Sequence, residues 1–287
     1  MSPAKHLTGI VGEKPSRYSM SPALWTEAFR TLGVDAEYLP FDVSEGDLAS
    51  FVAKMRAEPR LKGFNVTTPH KVRVMEFLDE IDPKAKIIGA VNTVVRTEDG
   101  KLTGHNTDGT GALMSLTPLI PSFRGIRVLL FGAGGAARAV AFALAEAIGT
   151  KGKIKILNRD PAKSALLAEQ IYRRYGNAQS ISAGDLEIYA KGSGLIINST
   201  TVGQTGPLES SSPMPKELMA KIPADTVFFD LIYSPLETRF LADARLSGKK
   251  TLNGVGMIKA QAAEAFLRMW PSGTDARRVF AAFSAKH

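Results

Sequence analysis

A glycine-rich segment near the middle of the chain has the residue types that hold a dinucleotide. Five residues that read as a buried strand, Arg127–Phe131, run directly into Gly132-Ala133-Gly134-Gly135-Ala136-Ala137. This segment fits the pattern G-x-G-x-x-G/A, in which the first glycine allows a tight turn and the second lets the backbone approach a pyrophosphate. The last small residue lets the next helix pack on its strand, with its N-terminal N–H groups facing the anion. We therefore predict that Gly132–Ala137 bind a dinucleotide.

The end of the next predicted strand bears on the choice between NAD and NADP. NAD sites usually place Asp or Glu there, bonded to the ribose 2′-hydroxyl. This strand ends Leu157-Asn158-Arg159-Asp160, and Lys163 follows one turn later. Arg159 could stack on adenine and pair with a 2′-phosphate, to which Lys163 could add charge. Asp160 could repel that phosphate or could cap the helix that starts at Pro161. We predict NADP as the preferred cofactor, with NAD also possible.

The elements that must position these residues alternate between strands and helices, which is typical of an α/β fold. In the first half we predict strands over 7–11, 37–43, 63–67 and 87–96 and a helix over 22–32. A connecting helix over 110–116 precedes Pro118, Pro121 and Gly125. Continuous apolar runs then follow at 126–131, 153–157, 194–198 and 226–232, as expected for strands buried on both faces of a parallel sheet. A helix follows the glycine-rich segment over 136–148, and an alanine-rich helix covers 257–270.

This order of elements predicts two domains. We expect an N-terminal α/β substrate-binding and catalytic domain over residues 1–110, with a helical segment over 255–287 packing back onto it. A doubly wound Rossmann-type dinucleotide-binding domain is expected over residues 111–254.

Composition excludes several classes of protein. The 287 residues are 44% hydrophobic and 22% charged, contain no cysteine, and include no apolar run of the roughly 20 residues that span a bilayer. We expect a cytoplasmic protein that does not bind membranes. The net charge of +8 arises entirely in residues 125–287, without the arginine-rich runs of nucleic-acid binders, so we expect no nucleic-acid partner. The histidines show no metal-ligand spacing, so no metal is expected: His6, His70, His105 and His287.

Seven segments then carry a resemblance to a known family. They are Ser19-Met20-Ser21-Pro22, Gly63-Phe64-Asn65-Val66-Thr67-Thr68-Pro69-His70-Lys71, Gly89-Ala90-Val91-Asn92-Thr93, Asn106-Thr107-Asp108-Gly109, the glycine-rich segment with Asn158-Arg159, Asn253-Gly254-Val255-Gly256-Met257, and Gln261-Ala262-Ala263. In this order and spacing the sequence resembles the shikimate/quinate dehydrogenase family over nearly its full length.

The resemblance implies roles for individual residues. It implies that Lys71 and Asp108 form the catalytic pair. The residues it assigns to the substrate carboxylate are Ser19 and Ser21, with Tyr233 nearby. Those it assigns to the ring hydroxyls are Asn65, Thr67, Asn92 and Gln261. It places Gly254 and Met257 beside the nicotinamide.

The chemistry of alcohol oxidation agrees with a lysine base. The hydroxyl proton must leave as hydride moves from carbon to the nicotinamide. Thr68-Pro69 reads as an N-cap followed by proline at the first helical position, which would place Lys71 in the first turn of a helix. There the positive end of the helix dipole disfavours a cation, whereas Asp108 would favour it. We expect the two groups to titrate as a pair and to share proton transfer.

Simpler roles remain open for several of these residues. From position alone, Ser21 is a good N-cap for the helix that follows, and Asp108 before Gly109 could be a turn or cap residue. Asn65 and Asn92 could bond only backbone groups, Gln261 could be solvated, and Met257 could be core. His70 and His105 could support the catalytic candidates.

The expected reaction is the reversible NADP-dependent reduction of 3-dehydroshikimate to shikimate, a small cyclic hydroxy acid, by a monomer or homodimer. Family membership would place this reaction in the chorismate pathway of aromatic amino acid biosynthesis. Departures from the family pattern at Tyr18, His70 and His105 leave quinate or aminoshikimate open as the substrate. A catalytically silent NADP-binding sensor is the alternative from another class, and the intact pair of Lys71 and Asp108 argues against it.

Overall fold

The structure is a computed structural model and describes residues 5–271 and 274–285. It divides into two compact units. The described residues of Met1–Gly111 and Ile258–His287 form unit 1, and Ala112–Met257 form unit 2. Unit 1 is therefore built from both ends of the chain, and unit 2 is one continuous segment.

Unit 1 is organised around a mixed six-stranded sheet in the order β2-β1-β3-β5-β6-β4. Pairs β1–β2, β1–β3 and β4–β6 are parallel, and β3–β5 and β5–β6 are antiparallel. The first part of the chain forms β1 (His6–Gly12), α1 (Pro15–Tyr18), α2 (Ser21–Leu32), β2 (Ala36–Asp42), α3 (Leu48–Ala57), β3 (Gly63–Val66), β4 (Glu80–Ile81), α4 (Pro83–Ile88), β5 (Thr93–Arg96), β6 (Leu102–His105) and α5 (Asp108–Leu116).

Unit 2 contains a parallel six-stranded sheet in the order β12-β11-β10-β7-β8-β9, which is a doubly wound arrangement of the Rossmann type. Its elements are β7 (Arg127–Phe131), α6 (Gly135–Ile148), β8 (Lys153–Leu157), α7 (Pro161–Tyr175), β9 (Ala178–Ser180), α8 (Leu186–Lys191), β10 (Leu195–Asn198), β11 (Val227–Asp230), α9 (Arg239–Leu246) and β12 (Lys250–Leu252). The four residues of β10 and of β11 are buried throughout, as expected for strands covered on both faces.

Two C-terminal helices complete the core of unit 1. They are α10 (Val255–Met269) and α11 (Ala276–Ser284). Phe266 of α10 and Phe283 of α11 pack with Trp25 of α2, at ring-centroid distances of 5.9 and 5.2 Å. All three side chains are fully buried. Helices from the two ends of the chain therefore share one hydrophobic core.

Most predicted elements are confirmed within two residues, but the strand predicted over 87–96 is partly wrong. Ile87 and Ile88 belong to α4, and the strand begins only at Thr93. The Asp82 carboxylate caps α4 by accepting from the Lys84 and Ala85 amides, and Gly89 ends it in the left-handed conformation with φ of 70°. These caps outweigh the β propensity of the isoleucine pair.

The role of Ser21 as an N-cap is also wrong. Met20 is the N-cap of α2, Ser21 is its first residue, and no side chain caps this helix end. The connecting helix begins two residues before its predicted start, so that Asp108 is its first residue. None of the described helices combines the length and the apolar character needed to cross a bilayer.

Candidate active site

The candidate catalytic residues of unit 1 lie at one edge of its sheet. Lys71 follows the carboxyl end of β3, Asn92 directly precedes β5, and Asp108 follows the carboxyl end of β6. Because β5 runs antiparallel to both neighbours, its start lies at the same edge as the ends of β3 and β6. Residues that are far apart in the sequence are thus brought together by strand direction.

Lys71 and Asp108 form a close ion pair. The Lys71 Nζ lies 2.6 Å from the Asp108 Oδ2, and the two side chains are 15% and 6% exposed. A charge-assisted hydrogen bond at this distance holds the ammonium group in a fixed direction while leaving part of it accessible. The Asp108 carboxylate also lies at the N-terminus of α5, where a negative charge is favoured.

The helix predicted to hold Lys71 is absent. The Thr68–Pro69 peptide bond is cis, and Lys71 lies in a turn that precedes a short 3-10 helix, Arg73–Phe77. Thr68-Pro69 therefore does not start an α-helix at Lys71, and the expected helix-dipole effect on Lys71 does not apply. The charge that faces Lys71 is the Asp108 carboxylate, 2.6 Å from its Nζ.

Asn92 connects the ion pair to its surroundings. Its Nδ2 lies within hydrogen-bond distance of three acceptors, which share its two N–H groups: the Asp108 Oδ1 at 2.8 Å, the Thr107 Oγ1 at 2.9 Å and the Gln261 Oε1 at 3.1 Å. Its Oδ1 accepts from the Thr107 amide at 2.9 Å and from the Thr93 hydroxyl at 3.0 Å. Asn92 is 2% exposed, so it orients Asp108 from within the protein. Gln261 joins this network from α10 instead of being only solvated.

The remaining predicted substrate contacts of unit 1 lie beside this network. The Asn65 Nδ2 donates to the Thr93 Oγ1 at 3.1 Å, and the Ser19 Oγ accepts from the Ser21 amide at 3.2 Å. Ser21 is 4% exposed, and Thr67 is half-buried. Burial raises the pKa of Tyr18, and the neighbouring Thr67 side chain opposes that shift.

His70 and His105 occupy different surroundings. His70 is fully buried, and its Nε2 donates to the Val43 carbonyl at 2.8 Å, which ties the Lys71 turn to the segment after β2. His105 lies with its Nδ1 3.9 Å from the Asp82 Oδ2. Burial and the positive charge of Arg268 lower the pKa of His105, and Asp82 opposes them.

The glycine-rich segment of unit 2 forms the turn between β7 and α6. Gly132 has φ of 109°, and a Cβ there would lie 2.5 Å from the Ser199 Oγ, so this position needs glycine. Gly134 is the N-cap of the 14-residue α6, and a Cβ there would meet no atom within 4 Å. Ala137 is fully buried where α6 packs on the sheet. The N-terminus of α6 is therefore open and has the form of a pyrophosphate cradle. It is formed by Gly134, Gly135 and Ala136, with Ala133 next to them in the turn.

The segment after β8 combines a helix cap with surface cations. The Asp160 Oδ1 accepts from the Ala162 amide at 3.0 Å, so the predicted capping role of Asp160 is confirmed. The Lys163 Nζ lies 4.0 Å from the Asp160 Oδ2, and the Asn158 Nδ2 donates to the Asp160 carbonyl at 2.9 Å. Arg159 is exposed between them, and its guanidinium is the cation suited to a 2′-phosphate.

Gly254, Met257 and Tyr233 also lie in unit 2. A Cβ on Gly254 would lie 2.2 Å from the Leu231 carbonyl oxygen, so this glycine is required by the close approach of two backbone segments. Met257 is 7% exposed, and Tyr233 is half-buried three residues after β11. Their contacts with cofactor or substrate remain predictions.

Comparisons with known proteins agree with this arrangement. Residues 10–94 match the family described as the shikimate dehydrogenase substrate binding domain. The chain is 40% identical to shikimate dehydrogenase (NADP(+)) of Methanococcus maripaludis strain C7 over 91% of this chain and 89% of that protein. It is 42% identical to the protein of the same name from Bacillus mycoides, over 93% and 92%. The chain belongs to the shikimate dehydrogenase family.

Solved structures of this family share the fold of the whole chain. Shikimate 5-dehydrogenase from Thermus thermophilus, in complex with NADP(H) and shikimate, has a TM-score of 0.83 and 34% identity, covering 97% of this chain and 98% of that one. A 5-ketofructose reductase of Gluconobacter sp. strain CHM43 has a TM-score of 0.81 and 35% identity over 97% and 98%. Two proteins that share this fold and have similar identity to the chain are therefore named after different substrates.

The network also contains residues to which the sequence analysis gave no role. Thr93 and Thr107 lie inside segments that carry the resemblance to the shikimate dehydrogenase family, and each bonds Asn92. Tyr38 lies in a strand that was recognised only by its apolar pattern, and its hydroxyl donates to the Asn65 Oδ1 at 2.9 Å. No motif marks Tyr38. Only the pairing of strands could have revealed its contact.

Within the described ranges, no group of three or more metal-ligating side chains could hold a metal ion. His287, one of the four histidines considered above, lies outside these ranges.

Proposed function

We propose that this chain is an NADP-dependent shikimate dehydrogenase that reversibly reduces 3-dehydroshikimate to shikimate. The observation that carries this proposal is the 2.6 Å ion pair of Lys71 and Asp108, held by Asn92 among the residues that would bind a ring hydroxyl. The relatives that share about 40% identity over nine-tenths of the chain carry the name shikimate dehydrogenase (NADP(+)), which supports the choice of substrate and cofactor.

Lys71 supplies and removes the proton in this proposal. In the reduction, the Lys71 ammonium donates a proton to the oxygen of the ketone, and in the oxidation the neutral amine accepts it from the hydroxyl. Asp108 accepts the hydrogen bond from the Lys71 Nζ and so orients the Lys71 side chain toward the substrate oxygen. Asn92 donates to the other oxygen of Asp108 and so fixes the plane of that carboxylate. The hydride for the ring carbon that carries the ketone oxygen would come from bound NADPH.

The other predicted contacts divide the substrate into an acidic end and a hydroxylated ring. Ser19 and Ser21 receive the carboxylate, and the resemblance to the family assigns Tyr233 to the same group. Asn65, Thr67 and Gln261 bond the ring hydroxyls together with Asn92. A hydrogen bond to a charged group contributes about 1.5–3 kcal/mol, so the two serines favour a substrate that carries a carboxylate.

The cofactor site is assigned to unit 2. Gly132–Ala137 would hold the pyrophosphate at the N-terminus of α6, and Arg159 and Lys163 would face the 2′-phosphate. Gly254 and Met257 would lie beside the nicotinamide. The Asp160 carboxylate repels a 2′-phosphate, and Lys163 at 4.0 Å partly compensates its charge. We therefore propose NADP as the preferred cofactor and NAD as a weaker one.

Quinate and aminoshikimate are the competing substrates. Tyr18 brings a phenol to Thr67, one of the proposed hydroxyl-binding residues, at a position where many family members have histidine. A phenol differs from an imidazole in size and in hydrogen bonding. Because of this substitution, the second candidate function is that of a paralogue that acts on a different ring substrate.

The decisive experiment compares substrates and one variant on the same purified protein. We expect the largest kcat/KM for shikimate among shikimate, quinate and aminoshikimate, each assayed with NADP and with NAD.

We expect Lys71→Ala to lower kcat by about 10²–10⁴-fold, because proton transfer is lost, while NADPH fluorescence still reports binding. Lys84→Ala, which changes an exposed lysine of the same unit, is the matched control. Unchanged turnover in Lys71→Ala would eliminate the mechanism, and binding of NADPH without turnover in the natural protein would favour a sensor.

We further propose that the enzyme acts in the cytoplasm as a monomer or homodimer. Size-exclusion chromatography with light scattering tests the oligomeric state directly, and a mass above that of a dimer would contradict it.

A further inference from the structure

Asn106 lies in one of the segments that carry the family resemblance, but it was assigned to neither the substrate nor the cofactor. It is half-buried and lies between the end of β6 and the start of α5, two residues before Asp108. Its Oδ1 accepts from the Asp108 amide at 3.1 Å, and its Nδ2 donates to the Ala90 carbonyl at 2.9 Å. One side chain therefore joins the first residue of α5 to the segment between α4 and β5.

The chemistry of the two neighbours fixes the orientation of this amide. A backbone carbonyl can only accept, so the group of Asn106 that faces Ala90 must be Nδ2. A backbone amide can only donate, so the group that faces Asp108 must be Oδ1. Ala90 is fully buried, so bulk water cannot replace the hydrogen bond that its carbonyl accepts. The side chain of Asn106 is thus held in one orientation.

The segment that Asn106 binds also holds Lys71. The Val91 amide, next to Ala90, donates to the Lys71 carbonyl at 2.7 Å. The backbone of Lys71 and, through Asn106, the backbone of Asp108 are therefore bonded to two consecutive residues. These bonds set the distance between the two main chains from which the 2.6 Å ion pair is built.

Asn92 and Asn106 hold different parts of Asp108. The Asn92 Nδ2 lies 2.8 Å from the Asp108 Oδ1, whereas Asn106 binds the main chain of the same residue. The amides in the first turn of a helix have no partner within the helix, so the Asn106 bond also satisfies a group that α5 leaves open. Asp108 is therefore fixed both at its carboxylate and at its backbone.

We propose that Asn106 is a positioning residue that fixes the first turn of α5 against the backbone at Ala90, and so holds the Asp108 carboxylate at the distance from which it orients Lys71. This proposal rests on the proposed function of the same site. Asn106 acts through Asp108, and the proposal requires no contact between Asn106 and the substrate.

Serine in place of Asn106 separates its two hydrogen bonds. A serine hydroxyl can accept from the amide two residues later, but serine has no group at the position of Nδ2. We expect Asn106→Ala and Asn106→Ser to lower kcat for shikimate by a similar factor, about fivefold to tenfold, because both lose the bond to Ala90. The KM for shikimate should change less than about twofold, since Ser19 and Ser21 are unaltered.

Stability should respond differently from turnover. Asn106→Ser keeps the bond to the Asp108 amide, so its urea midpoint should lie closer to that of the natural protein than the midpoint of Asn106→Ala does. A role in capping α5 alone predicts instead that serine restores kcat together with the midpoint. The matched control is Asp275→Ala, which removes the N-cap bond to the Arg277 amide at the start of α11 in the same unit. We expect this control to lower the midpoint and to leave kcat unchanged.

A double variant shows whether Asn106 acts through the ion pair. In a Lys71→Ala background no ammonium is left to orient, so adding Asn106→Ala should lower the residual kcat by less than about twofold. A further loss of about fivefold to tenfold there, natural kcat in Asn106→Ala, recovered kcat in Asn106→Ser, or an equal loss of kcat in Asp275→Ala would each overturn the proposal. Failure of both Asn106 variants to fold would also overturn it, because the side chain would then be structural.

Failure of the proposed function gives a different pattern. If the natural protein does not turn over shikimate, the substrate assignment is wrong, and crystal structures of the natural protein and of Asn106→Ser then test the positioning role without any substrate. Loss of the hydrogen bond between Lys71 and Asp108 in the variant would support the role of Asn106. An unchanged ion pair would reject it.

Discussion

Asp230 is a buried carboxylate whose protonation should affect stability. It is the last residue of β11 in the sheet of unit 2 and is fully buried, and burial raises its pKa from 3.8 to about 6. Hydrogen bonds from Thr238, from the Ile232 amide and from Asn198 oppose this shift without cancelling it. The folded protein thus binds this proton more tightly than the unfolded chain does.

The sign of the resulting pH dependence follows from this difference. The stabilisation that protonated Asp230 adds to the unfolding free energy is fully present below about pH 3.8 and is lost as the pH rises through about 6. Relative to Asp230→Asn, we expect the natural protein to lose on the order of 2 kcal/mol of unfolding free energy between about pH 4 and pH 7. Urea unfolding of both proteins across this range measures the difference. The control is Asp225→Asn, at an exposed position of the same unit, whose unfolding free energy should follow that of the natural protein across this pH range. If the curves of Asp230→Asn and of the natural protein were parallel, the prediction would be contradicted.

Asp160 should affect the choice of cofactor through its charge. Asparagine in its place can still cap α7 but removes the negative charge beside Arg159. We expect Asp160→Asn to raise the ratio of kcat/KM with NADP to that with NAD by about threefold to tenfold, because one repulsion of the 2′-phosphate is removed. Steady-state kinetics with both cofactors measure this ratio. Glu169→Gln, on the exposed face of the same helix, controls for a general change of charge, and an equal rise there would argue against a local effect.

At the scale of elements, α11 matters more for stability than its nine residues suggest. Phe283 is fully buried and packs edge-on against Trp25, with an interplanar angle of 78°, and against Phe266 at 5.9 Å. We expect Phe283→Ala to lower the unfolding free energy of unit 1 by about 3–5 kcal/mol, because it removes a large buried ring and leaves a cavity. Thermal and urea unfolding measure the loss. Leu246→Ala, at a position that is 76% exposed, should change stability by less than about 0.5 kcal/mol.

Helices and strands were predicted correctly where the residues that determine them are neighbours in the sequence. Four of the six strands of unit 2 were found because continuous apolar runs such as Leu195–Asn198 appear directly in the sequence. The short edge strands β9 and β12 contain no such run and were not predicted. The turn of Lys71 was mistaken for a helix start because threonine followed by proline is common both at helix starts and in turns. The strand after Asn92 was started too early because the caps of α4, Asp82 and Gly89, were not weighed against the isoleucine pair.

The contacts of the candidate site show the same limit. Resemblance supplied Lys71, Asp108, Asn92 and Gln261, and in the structure these four side chains belong to one network. The contact of Tyr38 was not found, because it depends on strand pairing that brings Tyr38 next to Asn65, 27 positions away. Long-range pairing of this kind leaves no periodic pattern in the sequence.

At the scale of the whole molecule, the two candidate sites lie in different units. The network around Asn92 belongs entirely to unit 1, and the glycine-rich turn belongs to unit 2. We expect Asn92→Ala to reduce kcat/KM for shikimate by about tenfold or more, since Asp108 loses a buried hydrogen bond. The Kd for NADPH, measured by fluorescence titration, should stay within about twofold of the natural value, because the side-chain hydrogen bonds of Asn92 lie within unit 1 whereas the glycine-rich turn belongs to unit 2. A large loss of NADPH binding in Asn92→Ala would show that the two sites do not act independently.

The split of unit 1 between both ends of the chain has a consequence for synthesis on the ribosome. Residues 112–257 emerge as one uninterrupted segment and can fold as soon as they are released, since domains generally fold as units. Trp25 emerges before unit 2, but two of the rings that pack on it, Phe266 and Phe283, are translated only after unit 2. Unit 2 can therefore fold before unit 1 is completed, and until then the Trp25 indole lacks its contacts with α10 and α11.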